Sequence, residues 1–310
     1  MPEIRLGKTQ LQISPLVFGT LPLGPLQANL SAEEGGRLIR HALQAGVNFL
    51  DTAELYGTYP HIRAALNDWK GEVMVATKTH AADGSTARSH VEKGLRELDP
   101  ERFDVVHLHG ARVADPFVER REVFAELLRM KEEGKIRHIG LSSHYITAIR
   151  KAAGQAEVEV LHPLLNRRGM GIIDGTAEQM LDAVRQAAAA GKGVYAMKVL
   201  AGGNLIQDTR ESITWVRDQT GVHAMALGML STEEIDANLA LLRSGQADES
   251  TWRRLTARRR RLHIMEKFCK GCGACVPACD QGGLQMVDDK ATVDTDSCIL
   301  CGYCAAACPE

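Results

Sequence analysis

The chain has 310 residues, with 37 lysines and arginines against 39 aspartates and glutamates, a formal net charge of −2, and 45% apolar and 25% charged residues. This is an ordinary globular balance, and a charge so near zero gives no global reason to bind nucleic acid or a membrane surface. No apolar run approaches the ~20 residues of a membrane span, and the start, Met1-Pro2-Glu3-Ile4-Arg5, lacks the basic and apolar regions of a secretory leader, so a cytoplasmic protein with reduced thiols is expected.

Short apolar, β-branched runs near 16–20, 48–53, 73–78, 103–109, 136–142, 158–165, 193–200 and 222–228 predict eight strands. Helical patterns near 31–46, 60–69, 85–99, 121–134, 145–154, 176–190, 209–219 and 231–244 alternate with them. Ser31 three residues before Glu34, and Ser231 before Glu234, read as capping-box starts, while Gly46, Gly134, Gly191 and Gly245 fall where helices should stop. Strand followed by helix, eight times over, predicts an α/β fold with a closed (β/α)8 TIM barrel across residues 1–246, whose chemistry would sit at the C-terminal ends of the strands.

Those strand ends carry polar residues. Asp51 closes the second strand with Tyr56-Gly57 in the loop beyond it, Lys78 ends the third, and His109 ends the fourth. Each alone has a bland explanation as a loop cap, a surface end or a rim histidine. Three successive strand ends bearing such groups point instead to a catalytic site. His107, two residues before His109 on the same strand, raises a metal-dependent barrel hydrolase as a rival, but such a site also needs further metal ligands at other strand ends.

Residues 247–261 read as an arginine-rich helical linker, with Arg253, Arg254, Arg258, Arg259, Arg260 and Arg261. They are expected to face solvent or the acidic segment that follows, where residues 262–310 hold seven acidic and three basic side chains. Docking of a redox-partner protein is the functional alternative.

All eight cysteines lie in that last segment, as two copies of C-x2-C-x2-C-x3-C: Cys269, Cys272, Cys275 and Cys279, then Cys298, Cys301, Cys304 and Cys308. A disulfide framework would suit a short secreted chain, and four-cysteine zinc sites usually pair two C-x2-C knuckles across a longer gap. Three cysteines at three-residue steps with a fourth four residues on is the pattern that wraps an iron–sulfur cluster, and Gly271 and Gly273 give the backbone freedom to curl around it. In this motif the fourth cysteine serves the other cluster. Cys269, Cys272, Cys275 and Cys308 are therefore expected to hold one [4Fe–4S] cluster, and Cys279, Cys298, Cys301 and Cys304 a second. The segment resembles the bacterial two-cluster ferredoxins, with Asp280 in place of the proline that usually follows the first motif. A small ferredoxin-like iron–sulfur domain over 262–310 is expected.

The first 245 residues resemble the aldo/keto reductase superfamily. The likeness rests on Leu6-Gly7-Lys8-Thr9 with Phe18-Gly19-Thr20, on Asp51-Thr52-Ala53 through Tyr56-Gly57, and on Glu133-Gly134-Lys135-Ile136-Arg137 leading into Ile139-Gly140-Leu141-Ser142. The whole chain looks like the branch that appends a ferredoxin-type domain. The resemblance implies that Asp51, Tyr56, Lys78 and His109 are a catalytic tetrad acting on a small-molecule carbonyl/alcohol pair. By residue type, Tyr56 would deliver the proton, Lys78 would lower its pKa, Asp51 would hold Lys78 charged, and His109 would orient the substrate oxygen.

The resemblance further implies nicotinamide contacts at Ser142, Ser143, Glu159 and Met197, and nucleotide contacts at Gly228, Ser231, Glu234 and Asn238. Here the chain departs from the family. Ser143 stands where asparagine is usual, Glu159 where glutamine is, and Met197 where an aromatic ring is. Leu230 and Glu234 replace basic contacts to a 2′-phosphate, and no lysine or arginine occurs from 222 to 242. NAD(H) is therefore expected to bind better than NADP(H). Hydride carries two electrons and each cluster passes one at a time, which leaves two alternatives open: an electron-transfer protein whose barrel is a docking or regulatory module, or a barrel that uses flavin.

Overall fold

The structure, a computed structural model, describes residues 2–99, 101–110, 113–245, 248–257, 260–279 and 281–309. Eight parallel strands close a barrel: β3 (Leu16–Gly19), β4 (Phe49–Asp51), β5 (Met74–Thr79), β6 (Phe103–His109), β7 (Ile136–Ser143), β8 (Val158–Pro163), β9 (Gly193–Ala196) and β10 (Ala224–Leu227), the last pairing with the first. The labels β1 (Ile4–Arg5) and β2 (Gln12–Ile13) belong to an antiparallel hairpin that precedes the barrel. Around the strands lie α1 (Ala32–Gln44), α2 (Tyr59–Leu66), α3 (Gly84–Leu98), α4 (Pro116–Glu119), α5 (Arg121–Glu132), α6 (Ile146–Gly154), α7 (Ala177–Ala189), α8 (Thr209–Arg217) and α9 (Thr232–Ser244).

Two buried apolar clusters follow from the strand alternation. Inward residues Val17, Phe49, Met74, Ala76, Val105, Val160, Tyr195 and Ala224 fill the lumen, and Leu6, Leu11 and Ile13 from the hairpin join them. The outward residues, among them Leu16, Leu50, Val75, Val106, Ile139 and Leu161, pack on the helices. Helix starts follow the expected chemistry with one difference. Ser31 and Glu34 form a reciprocal capping box, but Glu234 turns its carboxylate to the Leu230 N–H, 2.7 Å away, so Ser231 caps α9 alone. Thr176 and Gln179 form a second complete box on α7. No described helix is long and apolar enough to cross a membrane.

The arginine-rich segment contains α10 (Glu249–Thr256). Rather than bridging freely, α10 buries Trp252 and Leu255, three residues apart on one face, in the cluster outside the strands. Arg253, Arg254, Arg260 and Arg261 are exposed, in line with the solvent-facing expectation, and Arg254 pairs with Glu233 of α9 at 2.5 Å, a barrel partner rather than the acidic module. Arg258, Arg259, Asp280 and the 246/247 boundary lie outside the described residues.

Beyond it, β11 (Leu284–Val287) and β12 (Lys290–Val293) form an antiparallel pair, followed by α11 (Tyr303–Ala307). Two short strands and one helix match a ferredoxin-like fold only loosely. This module is seated on the barrel mouth. Ile299 is buried against Gly171 and Gly202, Asn204 donates to the Cys298 carbonyl at 2.8 Å, and Gln27 donates to the Leu300 carbonyl at 3.3 Å. Gly202 adopts φ +72°, and a Cβ there would overlap the Ile299 carbonyl oxygen, so both backbone conformation and space demand glycine.

Candidate functional site

Asp51, Lys78 and His109 come together because adjacent parallel strands end at the same rim. Asp51 and Lys78 are buried, and Lys78 Nζ donates to Asp51 Oδ2 at 2.6 Å and to the Thr52 carbonyl at 2.8 Å. The short 3-10 turn Glu54–Tyr56 folds Tyr56 back over this pair, with Lys78 Nζ 5.0 Å from the centre of its ring. The ammonium thus faces the ring.

Lys78 was expected to lower the Tyr56 pKa. The structure reverses that direction. Burial first, then Tyr303 and Asp51, push the Tyr56 phenol well above its ordinary value. Burial pulls Lys78 down while Asp51 holds it up, with burial the larger. The result is a neutral phenol, the form that can donate a proton. Burial and the nearby Lys78 also hold His109 well below the usual histidine range.

Beneath the site is a polar layer that the sequence reading missed. Tyr195 donates its hydroxyl proton to Asp51 Oδ1 at 2.9 Å, and His107 Nε2 lies 2.6 Å from the same hydroxyl oxygen. Since the Tyr195 proton points to Asp51, the His107 proton sits on Nε2. Gly140 leaves the space for this imidazole, because a Cβ there would overlap it. His162 stacks on Tyr195 with ring centres 4.0 Å apart and lies 3.7 Å from Asp51. His107 is therefore committed through Tyr195 to the support of Asp51.

Tyr195→Phe should lower stability by about 1–3 kcal/mol, because it leaves a buried His107 donor and one Asp51 oxygen short of a partner. Urea unfolding of the variant against the parent measures this.

The cofactor candidates divide. A cavity of about 540 Å³ at the barrel mouth is lined by Asp51 and Tyr56 together with Met197, Gly228, Glu234 and Asn238. Ser142 and Ser143 are fully buried at the end of β7, where Ser142 pairs in register with His109. Ser143 Oγ is taken up by the Gly110 carbonyl and the Tyr145 N–H, whereas Ser142 Oγ is a buried polar atom with no partner among the described residues. Neither serine is among the residues that line the cavity. Ser231 serves as a helix cap.

Glu159 does not reach the site. It is the second residue of β8, on the opposite side of the strand from His162, and bonds His138 at 2.9 Å and Lys131. The β8 residue that lines the cavity is His162. In a strand with period two, an offset of three residues reverses the side. Lys198 and Arg260 also line this cavity, two cations lying outside the 222–242 window that the sequence reading searched.

The cysteines form two groups. A second cavity, about 640 Å³, is lined by Cys279, Cys298, Cys301 and Cys304, joining one cysteine of the first motif to three of the second. Cys269, Cys272 and Cys308 are the cysteines near enough to Cys275 to push its thiol up. Burial pushes the Cys304 thiol up to about 11, so its thiolate needs a cation beside it. Four sulfur donors around one cavity fit a cluster's donor set.

At the rim, Glu54, His80 and His90 offer ligand atoms within 4.8 Å of one another. The Lys93 ammonium already holds one Glu54 oxygen at 2.7 Å.

Comparison with known proteins agrees with this geometry. Residues 268–310 match the 4Fe-4S dicluster domain, so the C-terminal module is of iron–sulfur type. The chain is 31% identical over 177 residues to Probable aldo-keto reductase 1 of Glycine max, covering 52% of this chain and 49% of that one. It is 26% identical over 218 residues to L-galactose dehydrogenase of Arabidopsis thaliana, covering 66% and 67%. The chain thus spans about half the length of the soybean relative and two thirds of the Arabidopsis one. Among solved structures, PA4992 of Pseudomonas aeruginosa, assigned as an aldo-keto reductase, superposes with a TM-score of 0.67 at 26% identity, over 77% of this chain and 94% of that one. The holo form of AKR11C1 from Bacillus halodurans gives 0.65 at 19%, over 84% and 97%, a likeness of fold alone. Residues 15–214, well over half of the chain, match the aldo/keto reductase family, and the chain belongs to that family.

Proposed function

We propose that this chain is an iron–sulfur oxidoreductase whose barrel interconverts a small carbonyl compound and its alcohol with a pyridine nucleotide, and whose C-terminal module carries two [4Fe–4S] clusters that exchange electrons with a redox partner. The observation that carries the reading is that Asp51 and Tyr56 line one cavity together with Gly228, Glu234 and Asn238, while Lys78 holds Asp51 and faces the Tyr56 ring from behind them. A bound nicotinamide supplies or accepts the hydride. Tyr56 holds the proton that neutralises the oxygen as charge develops there, the neutral phenol being the form that carries it. His109 offers Nε2 to the same oxygen. Asp51, fixed by Lys78 and Tyr195, keeps the charges beneath Tyr56 in register. In this reading residues 1–246 are the catalytic unit and 262–310 the cluster unit, with Cys269, Cys272, Cys275 and Cys308 on one cluster and Cys279, Cys298, Cys301 and Cys304 on the other.

A Glu234 carboxylate on the cavity wall repels a 2′-phosphate and can accept a hydrogen bond from a ribose hydroxyl. NAD(H) should therefore bind more tightly than NADP(H), by about tenfold for a mismatch near 1.4 kcal/mol. Titration of both nucleotides into anaerobic, cluster-loaded protein decides it. A preference for NADP(H) would assign Arg260 or Lys198 to the phosphate, and no binding of either would move the assignment to a flavin or to a docking barrel.

A further inference from the structure

One side chain of the iron–sulfur module enters the barrel site. Tyr303 opens α11, between Cys301 and Cys304, and its hydroxyl lies 3.2 Å from His109 Nε2, with the ring edge-on to the imidazole at 6.2 Å between centres. Tyr303 is also among the groups that push the Tyr56 phenol up, which puts it beside Tyr56 as well. One oxygen thus sits on His109 and near Tyr56, the two groups that would grip a substrate carbonyl.

A carbonyl oxygen awaiting reduction must itself lie within about 2.6–3.2 Å of the proton donor and of the orienting group. The Tyr303 hydroxyl sits at that distance from His109 Nε2, on the side of Tyr56, and two oxygens cannot share the place. The position is not a loose surface contact. The loop that leads into α11 is tied down at Cys298, Ile299 and Leu300 by Asn204, Gly202 and Gln27, and Gly302 packs so closely on Leu26 that a Cβ would overlap its carbonyl.

We propose that Tyr303 of the iron–sulfur module occupies the carbonyl-oxygen subsite of the barrel and competes with substrate for Tyr56 and His109. This rests on the barrel reading above and adds to it the group that decides admission. Substrates are those whose oxygen displaces a phenol hydroxyl. Because Cys301 and Cys304 flank Tyr303, the seat of the cluster loop sets how firmly the subsite is filled.

Tyr303→Phe keeps the ring and removes only the competing oxygen. In full-length, cluster-loaded protein, two quantities are measured for parent and variant, with iron and sulfide content compared to verify the module. One is the affinity for acetamide, a carbonyl that is not reduced, by ligand-observed NMR. The other is KM and kcat for propionaldehyde with reduced nucleotide. Loss of the competing hydrogen bond to His109, worth about 1 kcal/mol, should tighten acetamide about fivefold and lower KM by a similar factor, with kcat changed less than about twofold. Unchanged or weaker acetamide affinity overturns the proposal, and a KM that rises would make Tyr303 a helper of substrate. Tighter acetamide with no turnover in either protein rejects the carbonyl chemistry but keeps the Tyr303 assignment. Turnover with equal KM and equal affinity does the reverse.

Discussion

Tyr56→Phe should lower kcat for carbonyl reduction by about 10²–10⁴-fold, the range for losing a positioned general acid, while nucleotide affinity stays within about twofold. The asymmetry follows from position. The variant loses only the hydroxyl, while the ring, which packs over Lys78 and lines the cavity, is kept. Lys78→Met should behave differently, because it leaves a buried Asp51 carboxylate with only Tyr195 and a distant imidazole. That variant is expected to lose stability as well as turnover. Steady-state kinetics beside nucleotide titrations separate the two. Undiminished kcat in Tyr56→Phe would remove it as the proton donor.

The second large effect concerns the cysteines. Cys308→Ala should chiefly abolish the cluster built by Cys269, Cys272 and Cys275, and Cys279→Ala the one built by Cys298, Cys301 and Cys304, each variant losing about half of eight irons and eight sulfides. The expectation comes from two placements: Cys279 lines the cavity of the second motif, and Cys308 acts on Cys275 together with Cys269 and Cys272. Each loss should also loosen the module, since so small a unit draws much of its stability from metal ligation. Anaerobic reconstitution with iron and sulfide counts, followed by electron paramagnetic resonance, reads which signal disappears. Loss of the same-motif cluster would overturn the crossed assignment, and zinc without labile sulfide would overturn the iron–sulfur reading.

Much of this molecule was legible before folding because a barrel writes its architecture locally. Each strand is a short apolar run, and α1, α3, α7 and α9 each begin on a side-chain cap. Asp51, Lys78 and His109 could be read as a set because their strands end at one rim. What escaped was written at long range or in too few residues. The hairpin of β1 and β2 has two residues per strand, below any periodicity. Trp252 and Leu255 were hidden in an arginine-rich stretch whose charge suggested exposure, although their three-residue spacing is that of a buried helical face.

Glu159 was misplaced because β8 is apolar on both sides, so its inward face is not marked by alternation. Tyr195 bonds Asp51 across 144 positions and Tyr303 meets His109 across 194, distances over which sequence carries no register. The direction of the Tyr56 shift also depended on burial, a property of the assembled fold.

The glycine at 202 gives the union of the two modules an evolutionary consequence. A substitution there would deny the cluster loop its seat while leaving the strands and their side chains in place, so a barrel lineage that loses this glycine loses its cover without losing its fold. Conversely, the module cannot be grafted onto another barrel by joining chains alone. The recipient must already present a left-handed glycine facing Ile299, with the Leu26 carbonyl free to receive Gly302. The appendage and its host are therefore heritable only as a pair.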